Sequence, residues 1–344
     1  MMSGKLITRS FKFYRQMRTN KVSVVLPIHR EDEFIKKILT SLAKQSHQEF
    51  EIIIIDSSMN GLSRKDIDKF SNLNIKIFES FSSFPGQARN VGISLSSYEI
   101  IAFIDLTTIP SKDWLEEGLN LLDQSKTEVV LGKCKSLGVT YIQKLIRCLT
   151  YGAKQFECLP GTLITKKTLT KSGFFFGDAR AGEDIEWIQR IYSLKLVIGK
   201  PKLSNITYYG FPKSFYACIR KWYKYSLENA KLNILTFQKF IYLYLFLFGF
   251  LYFVYSWNFI FTYGQWDQSS AFIPNLNTYL WSTILSSYFI LRSIILPLKK
   301  GEKLSFLLPF NWLLLGIIGF TLDVVKIPGR IFGVIRIMDF KRKK

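Results

Sequence analysis

Two aspartates directly follow apolar runs that are typical of buried β-strands. Asp56 follows the run at 50–55, and Asp105 follows the run at 100–104. Carboxylates at the carboxyl ends of parallel strands lie at the edge where open α/β sheets bind ligands. Each aspartate could instead cap the turn or helix that comes next. Two of them on one edge favour a binding site over two unrelated caps.

The pair Glu183-Asp184 is a third acidic feature, and it opens a predicted helix. Ile185, Ile188 and Ile191 recur behind it at helical spacing. A carboxylate in a substrate site can act as a general base that takes a proton from a hydroxyl. Alternatively, the two acids stabilise only the helix, because they lie at the positive end of its dipole.

Alternating strands and helices are predicted to position these residues. The apolar patterns predict strands at 22–27, 50–55, 75–79 and 100–104, and helices at 31–44, 66–70 and 88–95. This alternation indicates a mostly parallel, doubly wound α/β sheet. Pro110 has no amide hydrogen, so we expect strand pairing to stop before it.

The composition limits the classes of molecule that this protein is expected to bind. The chain has 344 residues and a formal net charge of +21, which would suit nucleic acid, anionic lipid or a phosphate-bearing substrate. Aromatic residues make up 16% of the chain and crowd into its last third, so we expect lipid and no nucleic acid. The four cysteines lack the spacing of a metal site, which indicates reduced thiols in the cytosol.

Several segments together resemble family-2 glycosyltransferases of the GT-A fold. The likeness begins with Val22-Ser-Val-Val-Leu-Pro-Ile-His29 and Glu51-Ile-Ile-Ile-Ile-Asp56. It continues through Gly86-Gln-Ala-Arg-Asn-Val-Gly-Ile93 and Ile101-Ala-Phe-Ile-Asp-Leu-Thr-Thr-Ile-Pro110. Each segment alone is a weak signal, but their order and spacing are specific over residues 20–210. The resemblance implies a GT-A domain that uses a nucleotide-sugar.

The resemblance also implies a role for each residue at the nucleotide. Pro27 and Ile28 would hold the base and ribose through backbone and shape. Asp56 would accept hydrogen bonds from the nucleotide. Arg89 and Asn90 would line the pocket of the sugar donor.

The same likeness makes Asp105 the ligand of a divalent cation, Mg²⁺ or Mn²⁺, which would neutralise the diphosphate. This chain departs from the family pattern at Thr107, where a second aspartate is usual, and at Ser57, where an acid or amide is usual. A hydroxyl is a weaker ligand than a carboxylate. Three readings therefore stay open: weak cation binding, binding only with the nucleotide-sugar, or none.

Two further segments of the resemblance imply which residues lie near the transferred sugar and its acceptor. Gly161, in Leu159-Pro-Gly-Thr-Leu-Ile-Thr-Lys166, would let the backbone approach the sugar. Asp184 would be the catalytic base of an inverting transfer, and Glu183 would orient the site. Arg180 would contact phosphate or the acidic pair.

The last third has the composition of a membrane region. Residues 215–231 mix basic and aromatic side chains, which predicts an amphipathic interfacial helix. Residues 240–266 carry no charge and are long enough to cross a bilayer, residues 263–278 would form an outer loop, and residues 279–298 would cross back.

Residues 304–322 form a third apolar segment, interrupted by Pro309 and Asn311. Since the tail beyond it is basic, the positive-inside rule favours two crossings followed by a re-entrant or interfacial segment, although three crossings and a buried core helix stay open. The predicted parts are a basic segment (1–20), a GT-A domain (21–210), an interfacial helix (211–238), a membrane region (239–325) and a basic tail (326–344).

These features predict an integral membrane protein whose catalytic domain faces the cytosol. It would transfer a sugar from a nucleotide-sugar to a lipid-linked or glycan acceptor, in the synthesis of a cell-surface polysaccharide or glycolipid. Processive synthases that resemble this family carry a Gln-x-x-Arg-Trp element. The most similar segment here is Arg220-Lys-Trp222, which lacks the glutamine, so we expect one sugar to be transferred per encounter. The alternative is a catalytically weak or inactive, glycosyltransferase-like membrane scaffold subunit.

Overall fold

A computed structural model describes residues 20–29, 33–58, 67–124, 126–229, 232, 234, 249 and 276–342. Its strands are β1 (Val22–Ile28), β2 (Phe50–Asp56), β3 (Ile75–Glu79), β4 (Ile100–Phe103), β5 (Thr108–Pro110), β6 (Val129–Ser136), β7 (Phe156–Thr165), β8 (Ile198–Gly199) and β9 (Ile206–Tyr208). Its first helices are α1 (Phe34–Ala43), a 3₁₀ turn (Asp68–Phe70), α2 (Pro85–Leu95), α3 (Trp114–Leu122), α4 (Tyr141–Leu149), α5 (Lys166–Ser172) and α6 (Glu183–Ser193). The later helices are α7 (Phe215–Asn229), α8 (Leu276–Ile290), a π-helix (Leu291–Ile295), α9 (Leu296–Lys299), α10 (Leu304–Leu307) and α11 (Asn311–Arg342).

The chain divides into two compact units. The first contains Met1–Cys134, Glu157–Asp178 and Trp187–Thr207, and the second contains Lys135–Phe156, Ala179–Glu186 and Tyr208–Lys344. The division falls inside α6, so Glu183 and Asp184 belong to the second unit.

The first unit is built on a mixed sheet with the strand order β3-β2-β1-β4-β7-β6-β9-β5, and β8 pairs with β6. The strands β3, β2, β1 and β4 are parallel, as predicted, whereas β7 runs antiparallel to β4. Every residue of β2 is buried, which explains its unbroken apolar run.

The prediction that pairing stops before Pro110 is wrong. Thr108–Pro110 form β5, the last strand in the sheet order. A proline is tolerated on an edge strand, because the amide hydrogen that it lacks would face away from the ladder. The carbonyl of Pro110 still accepts a hydrogen bond from the Ser41 hydroxyl at 2.8 Å.

An aromatic cluster forms the centre of the first unit's core. The Phe103 and Phe175 rings meet edge to face at 5.2 Å, and the Trp187 ring lies 5.0 Å from Phe175. The Trp187 indole donates to the carbonyl of Gly173 at 3.1 Å, so its polar atom is satisfied inside the core.

The second unit is helical. Among the described residues, one helix is long and apolar enough to cross a membrane, over Asn311–Gly333 with a mean hydropathy of 1.6. Apart from Gly249, the expected first crossing at 240–266 lies outside the described residues, and so does nearly all of the loop at 263–278. The second apolar segment forms α8, the π-helix and α9. The third is broken between Leu307 and Asn311, where α10 ends and α11 begins.

Candidate functional site

The carboxyl end of β1 lies at a split between its neighbouring strands in the first unit, which we call the crevice. Strand β1 pairs with β2 along its whole length, but with β4 only over Val22–Val25. One edge of the last residues of β1 is therefore not covered by β4. Such a split, where neighbouring strands diverge, is where open α/β sheets bind ligands. Pro27 and Ile28 lie at this end of β1, as the sequence predicted.

Asp56 lies opposite Ile28 in the register of β1 and β2. It is fully buried, and its Oδ1 accepts hydrogen bonds from the backbone nitrogen of Ser58 at 2.9 Å and from the Ser58 hydroxyl at 2.6 Å. Its Oδ2 is also buried and makes no hydrogen bond within the described part of the chain. A buried carboxylate oxygen without a partner is costly unless a ligand supplies one. Asp56 thus has a free acceptor at the crevice.

Ser57 replaces the acid or amide that is usual in the resembling family. Its backbone nitrogen and its hydroxyl both donate to the carbonyl of Ile28, each at 2.8 Å. Ser57 therefore joins the end of β1 to the chain that leaves β2, next to Asp56.

Asp105 follows β4 on the other side of β1 and forms an ion pair. Its Oδ1 lies 2.7 Å from a terminal nitrogen of Arg89, whose side chain is 3% exposed while that of Asp105 is 33% exposed. The guanidinium of Arg89 also lies over the Phe175 ring, 5.6 Å from its centre. The charge of Asp105 is thus already balanced by the protein.

Thr108 holds the turn after Asp105. The Thr108 hydroxyl donates to the carbonyl of Asp105 at 2.6 Å and accepts from its backbone nitrogen at 3.1 Å. Thr107 is half-buried in this turn. Within the described residues, no group of three or more acidic, histidine or cysteine side chains could hold a metal ion. The protein therefore offers a cation one paired carboxylate and one neutral hydroxyl.

Asn90 and Gly161 have structural contacts that explain their residue types. The Asn90 amide donates to the carbonyl of Phe175 at 2.8 Å and accepts from its backbone nitrogen at 3.0 Å, so both of its polar ends hold that segment. Gly161 has a φ of +91°, and a Cβ there would lie 2.5 Å from Cγ1 of Ile206. Its carbonyl accepts from the Trp114 indole at 2.9 Å. Only glycine suits this position.

The acidic pair in the second unit forms the first two residues of α6. Glu183 is buried, and Asp184 is half-buried. Gly182 just before them has a φ of +91°, and a Cβ there would lie 2.4 Å from Oδ1 of Asn229 in α7. The backbone nitrogen of Arg180 donates to Glu228 of α7 at 3.4 Å. The end of α7 therefore packs against the turn that presents the pair.

Sequence reasoning did not single out Tyr225 of α7, whose pKa is affected by the charges of the acidic pair. Removal of its hydroxyl from water raises the pKa of Tyr225, and the charges of Asp184 and Glu183 raise it further, whereas Lys221 lowers it. The Lys221 ammonium lies 5.4 Å from the centre of the Tyr225 ring. The only sequence signal was the mixture of basic and aromatic residues in α7.

Part of this chain is similar in sequence to known glycosyltransferases. Residues 23–144 match the Glycosyl transferase family 2 domain. A poly(ribitol-phosphate) beta-N-acetylglucosaminyltransferase, TarS of Staphylococcus aureus, is 30% identical over 200 residues, which are 54% of this chain and 34% of TarS. Glycosyltransferase AglE of Haloferax volcanii is 32% identical over 117 residues, which are 32% of this chain and 38% of AglE. The matches thus span little more than a third of these relatives.

A solved structure confirms the expected fold class. The mannosyltransferase PcManGT of Pyrobaculum calidifontis, solved with GDP-Man and Mn²⁺, has a TM-score of 0.51 and 13% identity, and the alignment covers 90% of this chain and 87% of that one. The fold is GT-A, followed here by a helical region. By sequence, this chain is thus similar to family-2 glycosyltransferases over residues 23–144.

Proposed function

We propose that this chain is a membrane-attached, inverting glycosyltransferase that moves one sugar per encounter from a nucleotide-sugar to a lipid-linked or glycan acceptor. The observation that carries the proposal is the buried, unpartnered Oδ2 of Asp56 beside the end of β1, within the family-2 domain. The names of TarS and of a poly(ribitol-phosphate) beta-glucosyltransferase of Bacillus spizizenii support a glycan acceptor.

In this proposal the first unit binds the nucleotide. The free oxygen of Asp56 accepts a hydrogen bond from the base or ribose, while Pro27 and Ile28 shape the pocket. Arg89 contributes the positive charge that a diphosphate needs. Asn90 and Gly161 act by holding the neighbouring backbone in place.

A divalent cation would be held by Asp105 and Thr107 together with the diphosphate oxygens. The ion pair between Arg89 and Asp105 supports this shared shell, because one paired carboxylate and a hydroxyl are a poor site by themselves. When bound, the cation would offset negative charge on the leaving diphosphate. We therefore propose that the cation binds with the nucleotide-sugar and not before it.

Asp184 is the base in this proposal. Asp184 takes the proton from the acceptor hydroxyl as its oxygen bonds to the sugar's anomeric carbon. The bond from that carbon to the diphosphate breaks, and the nucleoside diphosphate leaves. Glu183 orients Asp184, and Arg180 contacts phosphate or the pair. The close approach of Gly182 to Asn229 and the hydrogen bond from Arg180 to Glu228 support a site at this end of α7.

The test is release of nucleoside diphosphate by the purified full chain from a panel of nucleotide-sugars. Asp184→Asn should lower turnover by about 10²–10⁴-fold while leaving nucleotide binding intact. Asp178→Asn, at an exposed position, is the matched control and should keep full turnover. If wild type binds no nucleotide and turns over no donor, the scaffold alternative is favoured.

A further inference from the structure

Helix α11 in the second unit has two different faces. One carries large apolar side chains that recur at helical spacing and are 39–57% exposed: Leu313, Ile317, Phe320, Val324, Ile331 and Phe332. We call this row the apolar stripe. Its exposed surface is typical of a face that meets another molecule or a lipid.

Among the described side chains, the opposite face of α11 carries the charged Asp323 and Lys326. Asp323 is buried there and accepts from Arg292 Nε at 2.8 Å, from the Tyr288 hydroxyl at 2.9 Å and from Lys326 Nζ at 2.9 Å. A helix on a water-exposed surface has the reverse pattern, with apolar residues inside and charges outside. The inverted pattern identifies lipid as the medium that the stripe meets.

Helices α4 and α7 pack against this opposite face and limit how α11 can enter a bilayer. Leu145, Ile146 and Leu149 of α4 share one apolar cluster with Leu315 and Leu322 of α11. Further along, the Ser226 hydroxyl of α7 donates to the carbonyl of Lys326 at 2.5 Å. A Cβ at Gly329 would lie 2.8 Å from the carbonyl of Tyr223, so α7 approaches closely here.

These contacts run from Leu315 to Gly329, about 21 Å of helix. The hydrocarbon core of a bilayer is about 30 Å thick. If α11 crossed it, α4 and α7 would be carried through most of that core together with their exposed Lys144 and Lys224. Charged side chains are strongly disfavoured there.

We propose that α11 lies in the plane of an anionic membrane surface, with the apolar stripe at the boundary between headgroups and acyl chains. The net charge of +21 and the exposed lysines of the second unit, among them Lys144, Lys224, Lys299 and Lys303, match anionic headgroups. This inference rests on the membrane attachment proposed above, but not on the transfer reaction.

The test measures the depth of single spin labels along the stripe in the full chain. Its four native cysteines are replaced by serine, and cysteines are placed singly at Leu313, Ile317, Phe320, Val324 and Ile331. The protein is reconstituted with vesicles of phosphatidylglycerol and phosphatidylcholine. An in-plane helix gives one shared depth, about 5–10 Å into the boundary, at all five positions. A label at the buried Leu322 is the matched control and should be immobile and inaccessible.

Three results would overturn the proposal. A depth that changes steadily along the helix, over about 27 Å between Leu313 and Ile331, means that α11 crosses the bilayer. Labels shielded from both oxygen and aqueous nickel mean that a second copy covers the stripe. If the wild-type chain does not sediment with the vesicles, membrane attachment itself is wrong. Diphosphate release, measured separately on the same samples, reports on the transfer reaction.

Discussion

The guanidinium of Arg89 and the carboxylate of Asp105 form an ion pair at 2.7 Å, at the position where the resembling family holds its metal. Arg89 is nearly buried, so its charge is poorly screened by water. The guanidinium attracts the same anions that a metal cation would attract. The pair therefore reduces the affinity of Asp105 for a metal while it adds positive charge beside the proposed diphosphate site.

Thr107→Asp should create a stronger metal site in the free protein. A second carboxylate would then stand where the turn now offers a hydroxyl, and carboxylate oxygens are preferred ligands of hard cations. We expect calorimetry to show tighter Mn²⁺ binding in the absence of nucleotide. Thr170→Asp, at an exposed position on α5, is the control and should leave the affinity unchanged. Equal affinities for wild type and Thr107→Asp would mean that Asp105 is not a ligand.

Asp56→Asn should weaken nucleotide binding. The amide oxygen can keep both hydrogen bonds from Ser58, but the free acceptor becomes a donor. Loss of a hydrogen bond to a charged group costs about 1.5–3 kcal/mol, so the Kd for UDP or GDP, whichever the wild type binds, should rise by about tenfold or more. The exposed Asp68→Asn serves as the control in the same titration. An unchanged Kd would remove Asp56 from the nucleotide site.

Gly161→Ala should lower the thermal stability of the chain. The positive φ and the contact with Ile206 are both unfavourable for a side chain, and left-handed strain alone costs about 1–3 kcal/mol. The control is Gly177→Ala, whose Cβ would find an ordinary contact at 3.7 Å. Melting of both variants in detergent tests this, and equal melting temperatures would contradict the packing role of Gly161.

The stability of the first unit should fall in acid through Glu51. Burial raises the pKa of Glu51, but hydrogen bonds from Lys76, Ser23 and Ser97 outweigh it, so the pKa is lowered from 4.5. A lowered folded-state pKa contributes stability that is fully present above 4.5 and is lost as the pH falls through the folded value.

Glu51→Gln should therefore be less stable than wild type at neutral pH, and the difference should shrink below pH 4.5. Denaturation at several pH values measures it. Glu116→Gln, at an exposed position, should follow the wild-type curve throughout. If the free energies of unfolding of Glu51→Gln and wild type differed by the same amount at all pH values, the charge of the Glu51 carboxylate would not be what stabilises the protein.

Much of the first unit was predictable because its signals are local. An unbroken apolar run such as 50–55 predicts a buried strand, and the alternation with helices predicts parallel order. The error at Pro110 was also local in origin. Proline removes a hydrogen bond only if its neighbour on that side is a strand, and the position of β5 in the sheet decides this.

The sequence by itself determined the residue types at the crevice, the alternation of strands and helices that places Asp56 and Asp105 at strand ends, and the apolar character of the C-terminal segments. Only the tertiary structure decided the partners: Arg89 for Asp105, the backbone of Phe175 for Asn90, and Tyr225 beside the acidic pair. It also decided that the carboxylate of Asp105 is paired with a guanidinium and does not stand free for a metal ion. The reason is physical, since a strand follows from the local chain, whereas an ion pair depends on which distant side chains the fold places within a few ångströms.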